Sequence, residues 1–179
     1  MKILVVSDSH GYDEELEFVL KNVTYDAAIH CGDCHFDEES PFLKLFDIIV
    51  QGNHDESFLP LDATFKTPLG DVFICHGHTF HVYKSYDEIV QHIADKNISI
   101  CFHGHTHVPH VEKYNNILFI NPGSTMFNRG LSECGSYAIV EITNKVTVQF
   151  YDSRTLKKIP QSVIDKDQDI LNEFKLFSK

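Results

Sequence analysis

Residues 3–10 read Ile3-Leu4-Val5-Val6-Ser7-Asp8-Ser9-His10, an apolar run that breaks off into a carboxylate and an imidazole. A short continuous apolar run bounded by polar residues is the pattern of a buried strand. The same transition recurs downstream. Residues 27–31 (Ala-Ala-Ile-His-Cys) give way to Gly32-Asp33, and residues 48–51 give way to Gly52-Asn53-His54-Asp55. Between the first two runs, Leu16, Val19 and Leu20 fall at helical spacing within residues 13–22, with Asp13 expected as the N-cap. Pro41 suits the first position of a helical turn over residues 40–46. The pattern is β-α-β-α-β, which predicts a sheet with parallel strands and helical crossovers.

The rest of the chain continues this reading with more strand. Residues 63–67 and 71–75 flank Pro68-Leu69-Gly70 as a hairpin. Residues 85–96 read as a helix with Ile89, His92 and Ile93 on one side, and residues 98–102 as another buried strand. Further strands are expected at 110–113, 117–121, 137–142 and 146–151, linked by the turn-like pairs Asn115-Asn116 and Asn144-Lys145. The tail, residues 161–177, reads as an amphipathic helix that aligns Ile164, Leu171 and Phe174. No internal repeat, low-complexity stretch or linker interrupts the sequence. The expectation is an α/β fold, two sheets packed face to face with helices outside, in one domain over residues 1–179 with its core in about the first 150.

Composition narrows the function. The chain has 179 residues, 42% of them hydrophobic and 23% charged, which fits a globular protein and excludes disordered and collagen-like classes. Net charge is −11, with only two arginines, Arg129 and Arg154. Duplex binding relies on Lys and Arg neutralising phosphates, so a duplex nucleic-acid partner is not expected. No apolar run approaches the ~20 residues of a membrane helix, and the start reaches Ser7 and Asp8 too soon for a secretory signal. Five cysteines, an odd number, suit free thiols in a reducing cytoplasm.

Histidine is the unusual residue, with twelve copies. Seven of them, His10, His54, His76, His78, His103, His105 and His107, lie in short glycine-marked clusters, each directly after an apolar strand. Asp8 and His10, Gly32-Asp33, Gly52-Asn53-His54-Asp55, His76-Gly77-His78 and Gly104-His105-Thr106-His107 occupy five strand ends. In α/β sheets ligands bind beyond the carboxyl ends of strands, so the five ends are expected to meet at one rim. Imidazoles with carboxylates suit manganese, iron or zinc better than calcium or magnesium.

Together, Asp8-x-His10, Gly32-Asp33, Gly52-Asn53-His54-Asp55, His76-Gly77-His78 and Gly104-His105-x-His107 resemble the motif series of the calcineurin-like metallophosphoesterases. Asn121-Pro122-Gly123-Ser124 adds likeness to the small phosphodiesterase branch of YfcE type. The resemblance spans about residues 1–150. It implies a four-layer α-β-β-α sandwich of two mixed sheets, with a dinuclear site at the strand rim. By motif, Asp8, His10, Asp33 and His107 would hold one divalent ion. Asp33, Asn53, His76 and His105 would hold the other, Asp33 bridging a gap of roughly 3.5–4 Å. Manganese is the first expectation, with zinc, iron or nickel as alternatives. The implied reaction is hydrolysis of a small phosphodiester, or a monoester, by a metal-bound hydroxide. His54 matches the family's catalytic histidine and is expected as general acid. The wider superfamily often carries a second aspartate three residues after the first, where this sequence has Phe36, so the group that orients His54 is left open.

His78 and Arg129 are the further candidates for substrate contact. His103 reads as structural, and Cys75 and Cys101 as small core residues. Cys31-Gly32-Asp33-Cys34 has the spacing of a redox motif, but Cys31 ends a strand and Asp33 would raise a thiol pKa, so redox chemistry is not expected. Two rival functions share the fold: a non-catalytic interaction scaffold, as in the retromer subunit of this fold, and a single-strand nuclease. The first predicts eroded ligand positions and the second a basic groove, and neither feature is present. A homo-oligomer through the terminal helix is the remaining partner expectation.

Overall fold

A computed structural model describes residues 1–130 and 134–177. The first sheet has the order β10-β9-β1-β2-β3. Its parallel half is β1 (Lys2–Val6), β2 (Ala27–His30) and β3 (Ile48–Ile49), and its antiparallel half is β9 (Ser136–Ile142) and β10 (Val146–Asp152). The second sheet has the order β4-β5-β6-β8-β7. It is built from β4 (Asp62–Thr67), β5 (Gly70–Cys75), β6 (Ile98–Phe102), β7 (His110–Tyr114) and β8 (Ile117–Asn121), with β5, β6 and β8 parallel. Among the described residues three α-helices accompany them, α1 (Asp13–Asn22), α2 (Asp87–His92) and α3 (Gln161–Phe177).

Side-chain alternation along each strand makes the layers. In β1, Ile3 and Val5 face the other sheet and pack with Ile29, Val72, Ile74, Phe102 and Ile120. Leu4 and Val6 face outward and pack with Leu16 and Val19 of α1. On the far side, Phe73, Cys75 and Cys101 pack with Ile89 of α2 and with Phe119. The result is the expected α-β-β-α sandwich. The third helix adds Ile164 to the inter-sheet core, and its Lys175 pairs with Glu112 on β7 at 2.8 Å. Leu171 is buried as expected; the side chain of Phe174 lies outside the described part of the helix. No helix among the described residues is long and apolar enough to cross a membrane.

Several element bounds differ from expectation, for local reasons. Asp13 is not the N-cap: Tyr12 occupies that position, and Asp13 opens the helix with Glu14 and Glu15, where acidic groups favour the positive end of the helix dipole. The helix expected over 85–96 spans only Asp87–His92: the Ser85 hydroxyl accepts the Asp87 N–H in a turn ahead of it, and beyond His92 the chain closes in tighter turns, with Ala94 N–H donating to Gln91 O and Lys96 N–H to Ile93 O. The turn near Pro41 is a single 3₁₀ turn, Pro41–Lys44. Strand β3 keeps two residues, after which Gln51 donates to Pro60 and the chain enters the next loop.

Candidate metal centre

The five strand ends meet. Asp8 and His10 follow β1, Asp33 follows β2, Asn53 follows β3, His76 follows β5, and His105 and His107 follow β6. Backbone hydrogen bonds carry the pairing past the strands themselves. Asp8 N–H donates to Gly32 O at 2.9 Å, His10 N–H to Asp33 O at 3.0 Å and Gly104 N–H to His76 O at 3.0 Å. Six of the ten non-glycine residues with left-handed backbone among those described sit here: Asp8, His10, Asp33, His35, His105 and His107. Such conformations are costly and persist only where the surroundings hold them. Close approach is enforced at Gly104, where a β-carbon would collide with the Ser7 hydroxyl and the Asp8 carboxylate.

Each buried carboxylate divides its two oxygens. Asp8 Oδ2 accepts the His105 N–H at 3.1 Å, and Asp33 Oδ1 accepts the His54 N–H at 2.8 Å. The other oxygens face the imidazoles. Asp8 Oδ1 lies 3.2 Å from His107 Nε2, 3.8 Å from His76 Nε2 and 4.0 Å from His10 Nε2. Asp33 Oδ2 lies 3.3 Å from His76 Nε2 and 3.8 Å from His10 Nε2. His76 Nδ1–H donates to Cys31 O at 2.7 Å, which turns the Nε2 lone pair inward, 3.2 Å from Asn53 Oδ1. Among the described residues two groups have metal-ligand spacing, Asp8–His10–His107 and Asp8–Asp33–His76. Asp8 belongs to both groups, and Asp33 Oδ2, the shared position of the motif reading, likewise lies near both His10 and His76.

The donor set fits cations. Asp8 Oδ1 is fully buried and has no hydrogen-bond partner among the described residues, a cost that a cation would remove. Burial alone would raise the Asp8 carboxyl, but His76 and His107 beside it hold it well below the usual carboxylate range. Burial would lower His76, yet Asp8 and Asp33 raise it. His105 is pushed down to about 4 by burial and by His76. The ionised Asp8 and the neutral His105 are the forms that ligate metals, whereas at His76 a cation would take the place of the proton that Asp8 and Asp33 favour there.

The remaining candidates surround this centre. His54 is exposed at the mouth, with its ring centroid 5.6 Å from that of His10. His105 packs against His76 at 5.1 Å between centroids. The His78 ring lies 5.3 Å from His76 and 6.2 Å from His105. Arg129 is exposed, its N–H donates to His107 O at 2.9 Å, and its guanidinium donates to the Tyr83 hydroxyl. That hydroxyl in turn donates to His105 O at 3.1 Å. His103 is buried and meets Tyr86, consistent with a structural role. Burial lifts the Cys31 and Cys34 thiols well above their ordinary value, with Asp55 rather than Asp33 the acidic neighbour of Cys34, so neither is an activated thiol.

Besides Tyr83, three residues escaped the sequence reading. Asp55 accepts four backbone N–H groups, from Asp33, Cys34, His35 and Gly52, at 2.7–2.8 Å, and so ties the β2 and β3 ligand loops together. His30, wholly buried, donates from Nε2 to Ser9 Oγ at 3.1 Å and accepts Gly32 N–H at Nδ1. His35 stands 3.3 Å from His10, Nε2 to Nδ1. It was legible in principle, because Asp33-Cys34-His35 repeats the spacing of Asp8-Ser9-His10.

Two facing mixed sheets with a carboxylate–imidazole cluster at their strand ends define a metallophosphoesterase type of hydrolytic fold. The sequence profile of the calcineurin-like phosphoesterase superfamily domain matches residues 1–145, and the chain belongs to that superfamily. It is 31% identical over 156 residues to the probable metallophosphoesterase YsnB of Bacillus subtilis (strain 168), covering 85% of this chain and 91% of the relative. A conserved uncharacterized protein of Streptococcus pneumoniae TIGR4, a predicted phosphoesterase, shares 30% identity and superposes with a TM-score of 0.78 over 88% of this chain and 96% of its own. The phosphoesterase YfcE of E. coli is similar in fold, with a TM-score of 0.67 at 20% identity, covering 89% and 97% of the two chains.

Proposed function

We propose that this chain is a two-metal phosphoesterase that acts first on small phosphodiesters and secondarily on monoesters. One observation carries the reading: two buried carboxylates each spend one oxygen on a backbone N–H and turn the other toward imidazole nitrogens, leaving Asp8 Oδ1 unsatisfied. In this proposal one ion is held by Asp8, His10, Asp33 and His107, and the other by Asp33, Asn53, His76 and His105. When bound, such ions supply Lewis-acid charge to the phosphoryl group and acidify water. Manganese is proposed first, from the mixed imidazole, carboxylate and amide-oxygen donors. The order of motifs, with Asn121-Pro122-Gly123-Ser124, supports the small phosphodiesterase branch of YfcE type.

The protein's own groups have separate tasks. Asp33 orients the His54 backbone through its Oδ1, so the His54 ring stands at the mouth, where it protonates the leaving alkoxide. Arg129, braced by Tyr83, and His78 contact the non-reacting phosphoryl oxygens. Arg129 places a positive charge at this rim of a chain of net charge −11, and together with bound cations it would draw an anion there. The free thiols suit a cytoplasmic site of action.

The test is to strip the protein with chelator and add back manganese, zinc, iron, nickel or magnesium separately. Nitrophenyl diesters, monoesters and nucleotides are then assayed. Uptake of two ions per chain with diester hydrolysis is the expected result; a chain that takes up no metal and hydrolyses nothing is a scaffold instead. In the same assay His54→Ala keeps both ions and loses activity, most with alkyl leaving groups. Equal losses for good and poor leaving groups would remove the acid role.

A further inference from the structure

The first sheet ends two neighbouring strands in the same way. Strand β1 runs into Asp8-Ser9-His10 and β2 into Asp33-Cys34-His35. All four terminal residues of these triplets take left-handed backbone, with φ of 53° at Asp8, 48° at His10, 55° at Asp33 and 62° at His35. The ladder between the strands continues through both triplets, and Gly11 N–H still donates to Cys34 O at 3.3 Å. The consequence is that the two histidines meet. Their rings stand edge to face with centroids 5.1 Å apart, and His10 Nδ1 lies 3.3 Å from His35 Nε2.

Holding His35 there is not free. An L-residue enters the left-handed region at a cost, and here the Asp55 carboxylate accepts the His35 N–H at 2.8 Å and keeps it in place. A carboxylate that already secures two ligand loops also secures a histidine that the proposed metal set does not use.

We propose that His35 is a positioning residue for His10. Its Nε2 accepts the Nδ1 proton of His10 and so fixes the tautomer whose Nε2 lone pair faces Asp8, Asp33 and His107. An imidazole that binds a cation through one nitrogen needs an acceptor for the N–H of the other, and that acceptor sets ring angle and basicity. His76 meets the requirement with a backbone carbonyl, Cys31 O. His10 is 17% exposed and meets it with a side chain at the mouth. This inference rests on the two-metal reading above. A direct phosphate contact by His35 is the competing role, and it predicts no change in metal affinity.

The experiment is calorimetric titration of Mn²⁺ into metal-stripped wild type, His35→Ala and His35→Gln, with the unfolding midpoint measured alongside. Because His35 is exposed, its removal should leave the fold intact. In His35→Ala one of two Mn²⁺ sites weakens roughly 10- to 100-fold while the other is unchanged. His35→Gln, which retains an acceptor, recovers part of that loss. Unchanged affinity at both sites in His35→Ala, or an equal loss at both, overturns the assignment. A wild-type chain that takes up no Mn²⁺ overturns the two-metal reading itself, and the inference falls with it.

Discussion

Replacing Asp55 with asparagine tests whether one carboxylate organises the centre without touching it. Asp55 Oδ1 accepts the N–H groups of Cys34 and His35, and Oδ2 those of Asp33 and Gly52. Asparagine keeps one oxygen and sets an amide N–H₂ against two backbone donors. Two of the four N–H groups therefore lose their acceptor, at about 1–3 kcal/mol each for buried groups. The site is only half-buried, so water returns part of that, and a net loss of about 2–3 kcal/mol is expected. For a chain of this size that lowers Tm by roughly 5–10 °C. The two strand-end loops that carry Asp33 and Asn53 lose their common tie, so Mn²⁺ affinity falls as well. Differential scanning calorimetry and Mn²⁺ titration on Asp55→Asn and Asp55→Ala measure both effects. A Tm within about 1 °C of wild type together with unchanged Mn²⁺ affinity would refute the reasoning, because the four bonds would then contribute nothing.

Two other outcomes follow from the same geometry. Asp33→Asn keeps the acceptor for the His54 N–H but removes a charge lying near both His10 and His76, so Mn²⁺ binding should weaken at both sites by at least about tenfold; full occupancy of both sites in that variant removes the bridging role. His30 and His110 are each pushed down to about 4, burial being the main cause. The folded chain thus takes up these protons less readily than the unfolded chain, whose histidines titrate near 6.5. Their contribution is complete above about pH 6.5 and is lost as pH falls toward about 4, on the order of 3 kcal/mol for each histidine. Urea melts of chelator-treated protein from pH 7 to pH 4.5 follow that decline, and a flat profile across the window contradicts it.

What the sequence revealed and what it concealed differ in range. The layers were legible because β1, β2 and β6 are mainly apolar runs of four or five residues that end in polar clusters, and alternation then assigns Ile3 and Val5 to one core and Leu4 and Val6 to another. The convergence of Asp8, His10, Asp33, Asn53, His76, His105 and His107 was legible because all stand directly after strands whose parallel order follows from the crossovers. Helix ends were less so. Ser85 and Tyr12 set them through single local hydrogen-bond and backbone choices that hydrophobic spacing does not register.

The parts that went unread are those whose partners are backbone groups or distant residues. Asp55 stood in plain view within Gly52-Asn53-His54-Asp55, but three of its four donors belong to a loop about twenty residues earlier, and all four are amides, which carry no residue-type signature. Tyr83 is the same kind of case, since it is joined to Arg129 across 46 positions and to the His105 carbonyl across 22. Side chains that would ligate a cation announce themselves by type, because few residues offer imidazole or carboxylate. The side chains that aim them can be almost any hydrogen-bonding residue, so composition gives no warning. His35 lies between these two kinds: it is a ligand-type residue in an Asp-x-His triplet, placed by the β1–β2 register against the back of another ligand-type residue. Register, which only the folded sheet supplies, decides that His10 faces the cluster while His35 faces His10.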